Sequence, residues 1–138
     1  MFTMKYDTKL IGYVTTFENY TKARVKDCFF LGSELVFVVK EGNLGKAVGR
    51  NGVTVMKLSR QFRHKLRVIE FSQDPAIFVK NLLYPLKGFE VSLDEGRLII
   101  RTTDSRIKGK IYGRDRSNLK WMNELLKNYF SDLKIKIE

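Results

Sequence analysis

Hydrophobic and polar positions run through one series of periods, and the chain passes through that series twice. Leu10 to about Tyr20 reads as an amphipathic helix. Ala23–Leu31 and Glu34–Lys40 are rich in β-branched and aromatic residues and read as antiparallel strands, with Gly32-Ser33 as a two-residue hairpin turn. Glu41-Gly42-Asn43 breaks the second strand. Leu44–Val48 reads as a short helix that runs into Gly49-Arg50-Asn51-Gly52. Beyond it Val55, Leu58 and Phe62 fall on one helical face, and Leu66–Phe71 closes the series as a strand.

The second pass starts at Asp74-Pro75, a helix opening with proline in the first turn, and that helix ends at Tyr84-Pro85. Phe89–Leu93 and Arg97–Thr102 form a hairpin around Asp94-Glu95-Gly96. Ser105–Tyr112 is the short helix and Gly113-Arg114-Asp115-Arg116 the loop. Ser117 is the expected N-cap of a longer helix whose apolar face is Leu119, Met122, Leu126 and Tyr129. Leu133–Ile137 is the last strand.

The repeat is literal at its centre. Gly45-Lys46 and Gly109-Lys110 are 64 positions apart, as are Gly49-Arg50 and Gly113-Arg114. The expected architecture is α+β, in two domains at residues 1–72 and 73–138, each a three-stranded sheet covered on one face by helices.

Composition narrows the function. The chain has 138 residues, 43% of them hydrophobic, enough for packed cores. No apolar run approaches the roughly 20 residues of a membrane span, and the start has no secretory pattern, so a cytoplasmic location and no membrane partner are expected. The single cysteine, Cys28, beside Phe29 and Phe30, suits a buried thiol. One histidine, His64, cannot build a zinc site with one distant cysteine or anchor a persuasive Ser-His-Asp arrangement, and GxxxxGK[ST] is absent. No cofactor is expected, and the chain does not read as an enzyme.

Charge points to an anionic partner. The net charge is +11 and the pI about 9.8. Leu44–Arg67 carries seven Lys/Arg and no acid; Ser105–Lys120 carries six against Asp115 alone. Both blocks coincide with a glycine loop and its flanking helices. Glycines there let the backbone turn tightly and come close to a sugar–phosphate chain, and the helix that follows offers unpaired N–H groups. The candidate residues for contacting such a nucleic-acid backbone are Gly45, Lys46, Val48, Gly49, Arg50, Asn51, Gly52, Val53 and Lys57, followed by Lys110, Gly113, Arg114 and Arg116. Val48 and Val53 are candidates for an aliphatic floor under bases. Tyr112 could stack on a base or pack its helix; Trp121 fits core packing or a protein contact better than stacking.

Element order and loop together resemble a type II KH domain. The tandem arrangement is similar to the paired KH region of the NusA family of transcription elongation and termination factors, in its compact archaeal form. The motifs that carry the likeness are Val25-Lys-Asp-Cys28, Val38-Val-Lys-Glu-Gly42, Gly45-Lys-Ala-Val-Gly49, Ile69-Glu-Phe-Ser-Gln-Asp-Pro75 and Phe78-Val-Lys-Asn-Leu82. The resemblance implies single-stranded RNA, a nascent transcript, held through the glycine loops by a monomer, with RNA polymerase as a candidate second partner. The second loop departs from the family pattern, because Arg116 stands where a second glycine is expected. Phosphate would be held there less closely, or through the Arg114 and Arg116 side chains. The alternatives are a KH protein of ribosome biogenesis or RNA processing, or a basic protein-interaction module.

Overall fold

The computed structural model describes residues 8–138, which divide between Ser72 and Gln73 into two compact units. The first contains helix α1 (Thr8–Thr21), strands β1 (Val25–Leu31) and β2 (Glu34–Val39), helices α2 (Leu44–Val48) and α3 (Val53–Phe62), and strand β3 (Lys65–Glu70). Its sheet has the order β1-β2-β3, antiparallel between β1 and β2 and parallel between β2 and β3. A parallel pair needs a long crossover to bring the chain back to the same end. Here α2, the glycine loop and α3 are that crossover, so the loop hangs between two helices tied to one sheet.

The central strand β2 is buried from Leu35 to Val39. Leu35, Phe37, Val39 and Leu66 lie under Leu10, Val14 and Phe17 of α1, Ala47 of α2, and Leu58 and Phe62 of α3. Phe17 stacks on Phe37 with ring centroids 4.1 Å apart. The hairpin turn is Gly32-Ser33, since Leu31 pairs with Glu34. Strand β1 starts later than the residue pattern predicts. The Arg24 N–H donates to the Asn43 side chain (2.9 Å), and Thr21 closes α1 by donating to the Phe17 carbonyl (2.8 Å) and accepting from Ala23 N–H (3.0 Å).

The second unit repeats the order: α4 (Pro75–Leu83), β4 (Glu90–Asp94), β5 (Arg97–Arg101), α5 (Ser105–Tyr112), α6 (Ser117–Tyr129) and β6 (Lys134–Ile137). Its sheet runs β4-β5-β6, again antiparallel then parallel. Asp74 caps α4 by accepting from Ala76 N–H (3.0 Å), and Asp104 caps α5 by accepting from Arg106 N–H (2.8 Å). The hairpin turn is the pair Glu95-Gly96, both at positive φ (47° and 79°), because Asp94 already pairs with Arg97.

Two details of α6 differ from the sequence expectation. Ser117 is not its cap: the cap position is Arg116, in a left-handed conformation and with no side-chain cap bond, and Ser117 is the first helical residue. The loop delivers the chain one residue further round than a serine-capped start would. The buried stripe is Trp121, Met122, Leu125 and Leu126, while Leu119 and Tyr129 are only half-buried. At 13 residues α6 exceeds the 10 of α3 by about one turn. Cys28 is buried. Among the described residues no helix is long and apolar enough to cross a membrane, and no group of three His, Cys, Asp or Glu could hold a metal ion.

Candidate nucleic-acid interface

The approach to the first loop is anchored from both sides. The Gly42 N–H donates to Glu70 of β3 (2.9 Å), and the Asn43 amide donates to the Glu41 carbonyl (3.1 Å). At the far end of α3, the Ser59 hydroxyl donates to the His64 carbonyl (2.9 Å) and accepts from Leu66 N–H (3.1 Å). Side chains thereby hold both ends of the α2–loop–α3 crossover.

Between the helices, Arg50–Gly52 forms a single 3-10 turn. Gly49 has φ 77° and ψ 171°, a conformation that is essentially glycine-only, and Asn51 and Gly52 are left-handed (φ 55° and 74°). A Cβ at Gly49 would collide with the Thr54 hydroxyl and stand 2.8 Å from the Thr54 Cβ; at Gly52 it would meet nothing within 4 Å. The two glycines are therefore required for different reasons, one by space and conformation, the other by conformation alone.

Internal bonding decides which N–H groups face outward. Gly49 N–H donates to the Gly45 carbonyl (3.0 Å), Gly52 N–H to the Gly49 carbonyl (3.2 Å), and Val53 N–H to the Arg50 carbonyl. Arg50 and Asn51 are left as the residues of the turn whose N–H groups have no partner among the described residues. Two donors, not four, are open to an anion. Lys46, Arg50, Asn51, Val53 and Lys57 are exposed, with Gly45; Val48, Gly49 and Gly52 are half-buried.

The sequence reading missed Met56. It is 53% exposed, beside Val53 at 47%, and with Lys57 and Arg60 these residues make one solvent-facing stripe of α3. The stripe couples two apolar side chains to two cations. The available signal was the i, i+3 spacing from Val53. The first basic block is also less free of acid than its own segment suggests. Glu34, from β2, pairs with Arg67 at 2.9 Å and reaches Lys65 at 4.0 Å, since parallel register sets Glu34 opposite Lys65. Lys46, Arg50, Lys57, Arg60 and Arg63 form no ion pair with the described residues.

The second loop repeats the first in backbone. Gly113 has φ 73° and ψ 172°, Asp115 φ 54° and ψ 32°, and Arg116 φ 61° and ψ 24°. The substitution of arginine for glycine has not changed the turn; Arg116 accepts the left-handed conformation. Gly113 keeps its glycine for the reason Gly49 does, because a Cβ there would stand 2.7 Å from Asn118 Cγ. The Asn118 amide donates to the Lys110 carbonyl (3.0 Å) and accepts from the Trp121 indole N–H (3.1 Å). Trp121 is 7% exposed, a core residue. Replacing Asn118 with alanine removes both bonds, at about 1 kcal/mol each. We expect a loss of about 2 kcal/mol, read as a lower melting temperature with faster amide exchange at Gly113. Lys110, Arg114 and Arg116 are exposed, and the Arg116 guanidinium lies 5.4 Å from the centre of the Tyr112 ring. Tyr112 is thus half-buried with an arginine against its ring.

No protein-family model matches the chain. A protein of Methanocaldococcus jannaschii named probable transcription termination protein NusA is 26% identical over 137 residues, 97% of this chain and 75% of that protein. The chain is similar to archaeal NusA. The Methanococcus vannielii NusA of the same name is 37% identical over 84 residues, which cover 61% of this chain and 49% of that protein, so the match spans about half of that relative's length. Among solved structures, the crystal structure of APE1850 matches with a TM-score of 0.70 and 26% identity, covering 94% of this chain and 98% of that one. The two proteins share a fold; in this chain it is α+β with two three-stranded sheets, consistent with tandem KH-like domains.

Proposed function

We propose that the chain is a NusA-like transcription factor that binds single-stranded RNA and acts on elongation and termination, through type II KH domains at residues 1–72 and 73–138. The observation that carries this reading is the first loop. Its turn leaves the Arg50 and Asn51 N–H groups open, Lys46, Arg50 and Lys57 lie on it or within a turn or two of it and pair with no acid among the described residues, and Val53 and Met56 expose apolar surface alongside. Open donors and cations suit phosphate oxygens; an apolar strip suits base faces. The names of the archaeal relatives supply the transcriptional context. A nascent transcript is the RNA, and RNA polymerase the protein partner, that this context brings with it.

In this mechanism about four nucleotides lie beside the first loop. Arg50 and Asn51 N–H groups donate to phosphate oxygens, Lys46, Arg50 and Lys57 supply charge, and bases rest on Val48, Val53 and Met56. Much of the binding free energy is electrostatic and falls with salt.

The test is a titration with short oligoribonucleotides, following the Arg50 and Asn51 amide resonances. Both should move. The double variant Arg50→Asp, Asn51→Asp should bind roughly tenfold more weakly or worse, with an unchanged melting temperature, because both side chains are exposed. Unchanged affinity would remove the loop from the interface and leave the basic surface to a protein partner. Co-purification with RNA polymerase subunits, rather than with ribosomal particles, checks the transcriptional assignment.

A further inference from the structure

The two loops share a backbone and differ in what surrounds it. Positions 48, 53 and 56 form the apolar floor of the first: Val48 half-buried, Val53 and Met56 exposed. Their counterparts 64 positions on are Tyr112, Ser117 and Lys120. Ser117 and Lys120 are exposed and polar, and the Tyr112 ring carries the Arg116 guanidinium at 5.4 Å. No large hydrophobic side chain of α6 is exposed. Lys57 has become Trp121, which is turned into the core.

Resting on the RNA reading above, we propose that the second loop grips the sugar–phosphate backbone of RNA without reading bases, and that base preference resides in the first unit alone. A base needs an apolar or aromatic face to lie on. In the second unit the aromatic ring beside the loop, Tyr112, is half-buried and has the Arg116 guanidinium 5.4 Å from its centre. That contact favours a guanidinium beside the loop, and an arginine fork matches a phosphate better than a lysine does. Arg114, Lys110 and Lys120 add charge. Asp115 works against it: it sets a carboxylate where the first loop has Asn51. The second loop is therefore a tuned, moderate clamp rather than a maximal one.

The experiment uses the full chain and homopolymeric oligoribonucleotides of A, C and U, each titrated at several salt concentrations. Arg116→Gly restores the glycine of the first loop. It relieves left-handed strain at position 116 while giving up unfolded-state restriction and the Tyr112 contact, so the fold is retained. Affinity should fall roughly twofold to tenfold, by the same factor for every homopolymer, and the slope of log K against log salt should flatten by about 0.7. Asp115→Asn should raise affinity, again equally for all. Val53→Ser with Met56→Lys, which gives the first loop the surroundings of the second, should bring the ratio between best and worst homopolymer towards one without flattening the salt slope. The proposal is overturned if Arg116→Gly leaves affinity unchanged or reorders the homopolymers, or if the ranking survives the Val53/Met56 change. If the unaltered chain binds none of these RNAs, the RNA reading itself fails; if only Arg50→Asp, Asn51→Asp weakens binding, that reading stands and this one falls.

Discussion

Gly49→Ala should destabilise the first unit by about 3 kcal/mol, while Gly52→Ala three positions on should cost only about 1. Both glycines have positive φ, so a survey of φ alone would rank them equally. The structure separates them. At Gly49 the pair φ 77°, ψ 171° lies where side chains are essentially excluded, a cost of about 1–3 kcal/mol. A Cβ there would also overlap the Thr54 hydroxyl and press on Thr54 Cβ and on its backbone nitrogen at 3.0 Å. Thr54 belongs to the first turn of α3, so relieving the overlap means shifting the helix or opening the turn. At Gly52 the left-handed values φ 74°, ψ 13° cost an alanine about 1 kcal/mol, with open space where its methyl would go. Arg116 shows that a side chain can live in the corresponding place. For a unit of this size 1 kcal/mol moves the melting temperature by roughly 4–8 °C, so the two variants should differ by roughly 8–16 °C. Thermal melts followed by circular dichroism decide it; equal midpoints would mean that Thr54 yields and that the turn is not sterically locked.

Much of this architecture was legible in the residue pattern, because the signals were local. Helix periodicity in Val55, Leu58 and Phe62, proline after Asp74, and glycine at the turns each follow from one stretch of chain. The order of elements and the place of both loops between helices follow from such signals. What the pattern hid depends on contacts between distant residues or on side-chain direction. Glu34 neutralising Arg67 and Lys65 needs the parallel register of β2 and β3, which no local signal announces. The burial of Trp121 follows the core-packing expectation, whereas the exposure of Met56 was overlooked although it shares a helix face with Val53 at i, i+3. Ser117 looked like a cap because serine usually is one; Arg116 displaced it by holding a left-handed angle that arginine rarely takes. Which N–H groups of the first loop stay open is hidden for the same reason: it depends on Gly52 and Val53 bonding back to Gly49 and Arg50.

Phe37→Ala should have the largest effect of all, about 4 kcal/mol, and it should take RNA binding with it by a route distinct from the loop variants. Phe37 is fully buried on the central strand. It stacks on Phe17 of α1 at 4.1 Å and meets Phe62 of α3 at 6.3 Å, so one ring joins the sheet to α1 and to α3, the second helix of the crossover. Truncating a buried phenylalanine costs about 3–5 kcal/mol, including the cavity left behind, and the aromatic stack adds a further fraction. A unit of about seventy residues has only roughly 4–10 kcal/mol to lose. Helices α1 and α3 would lose their common anchor, and the turn between α2 and α3 its fixed geometry. Phe37→Leu keeps most of the volume and should cost about 1 kcal/mol, leaving RNA affinity intact, because residue 37 faces the helices and not solvent. Urea unfolding and RNA titration of the same samples separate the cases: Phe37→Ala lowers midpoint and affinity together, Phe37→Leu lowers the midpoint slightly, and Arg50→Asp, Asn51→Asp lowers affinity alone. Should Phe37→Ala bind RNA as well as the unaltered chain, the loop would not depend on the core beneath it, and fold and site would be uncoupled.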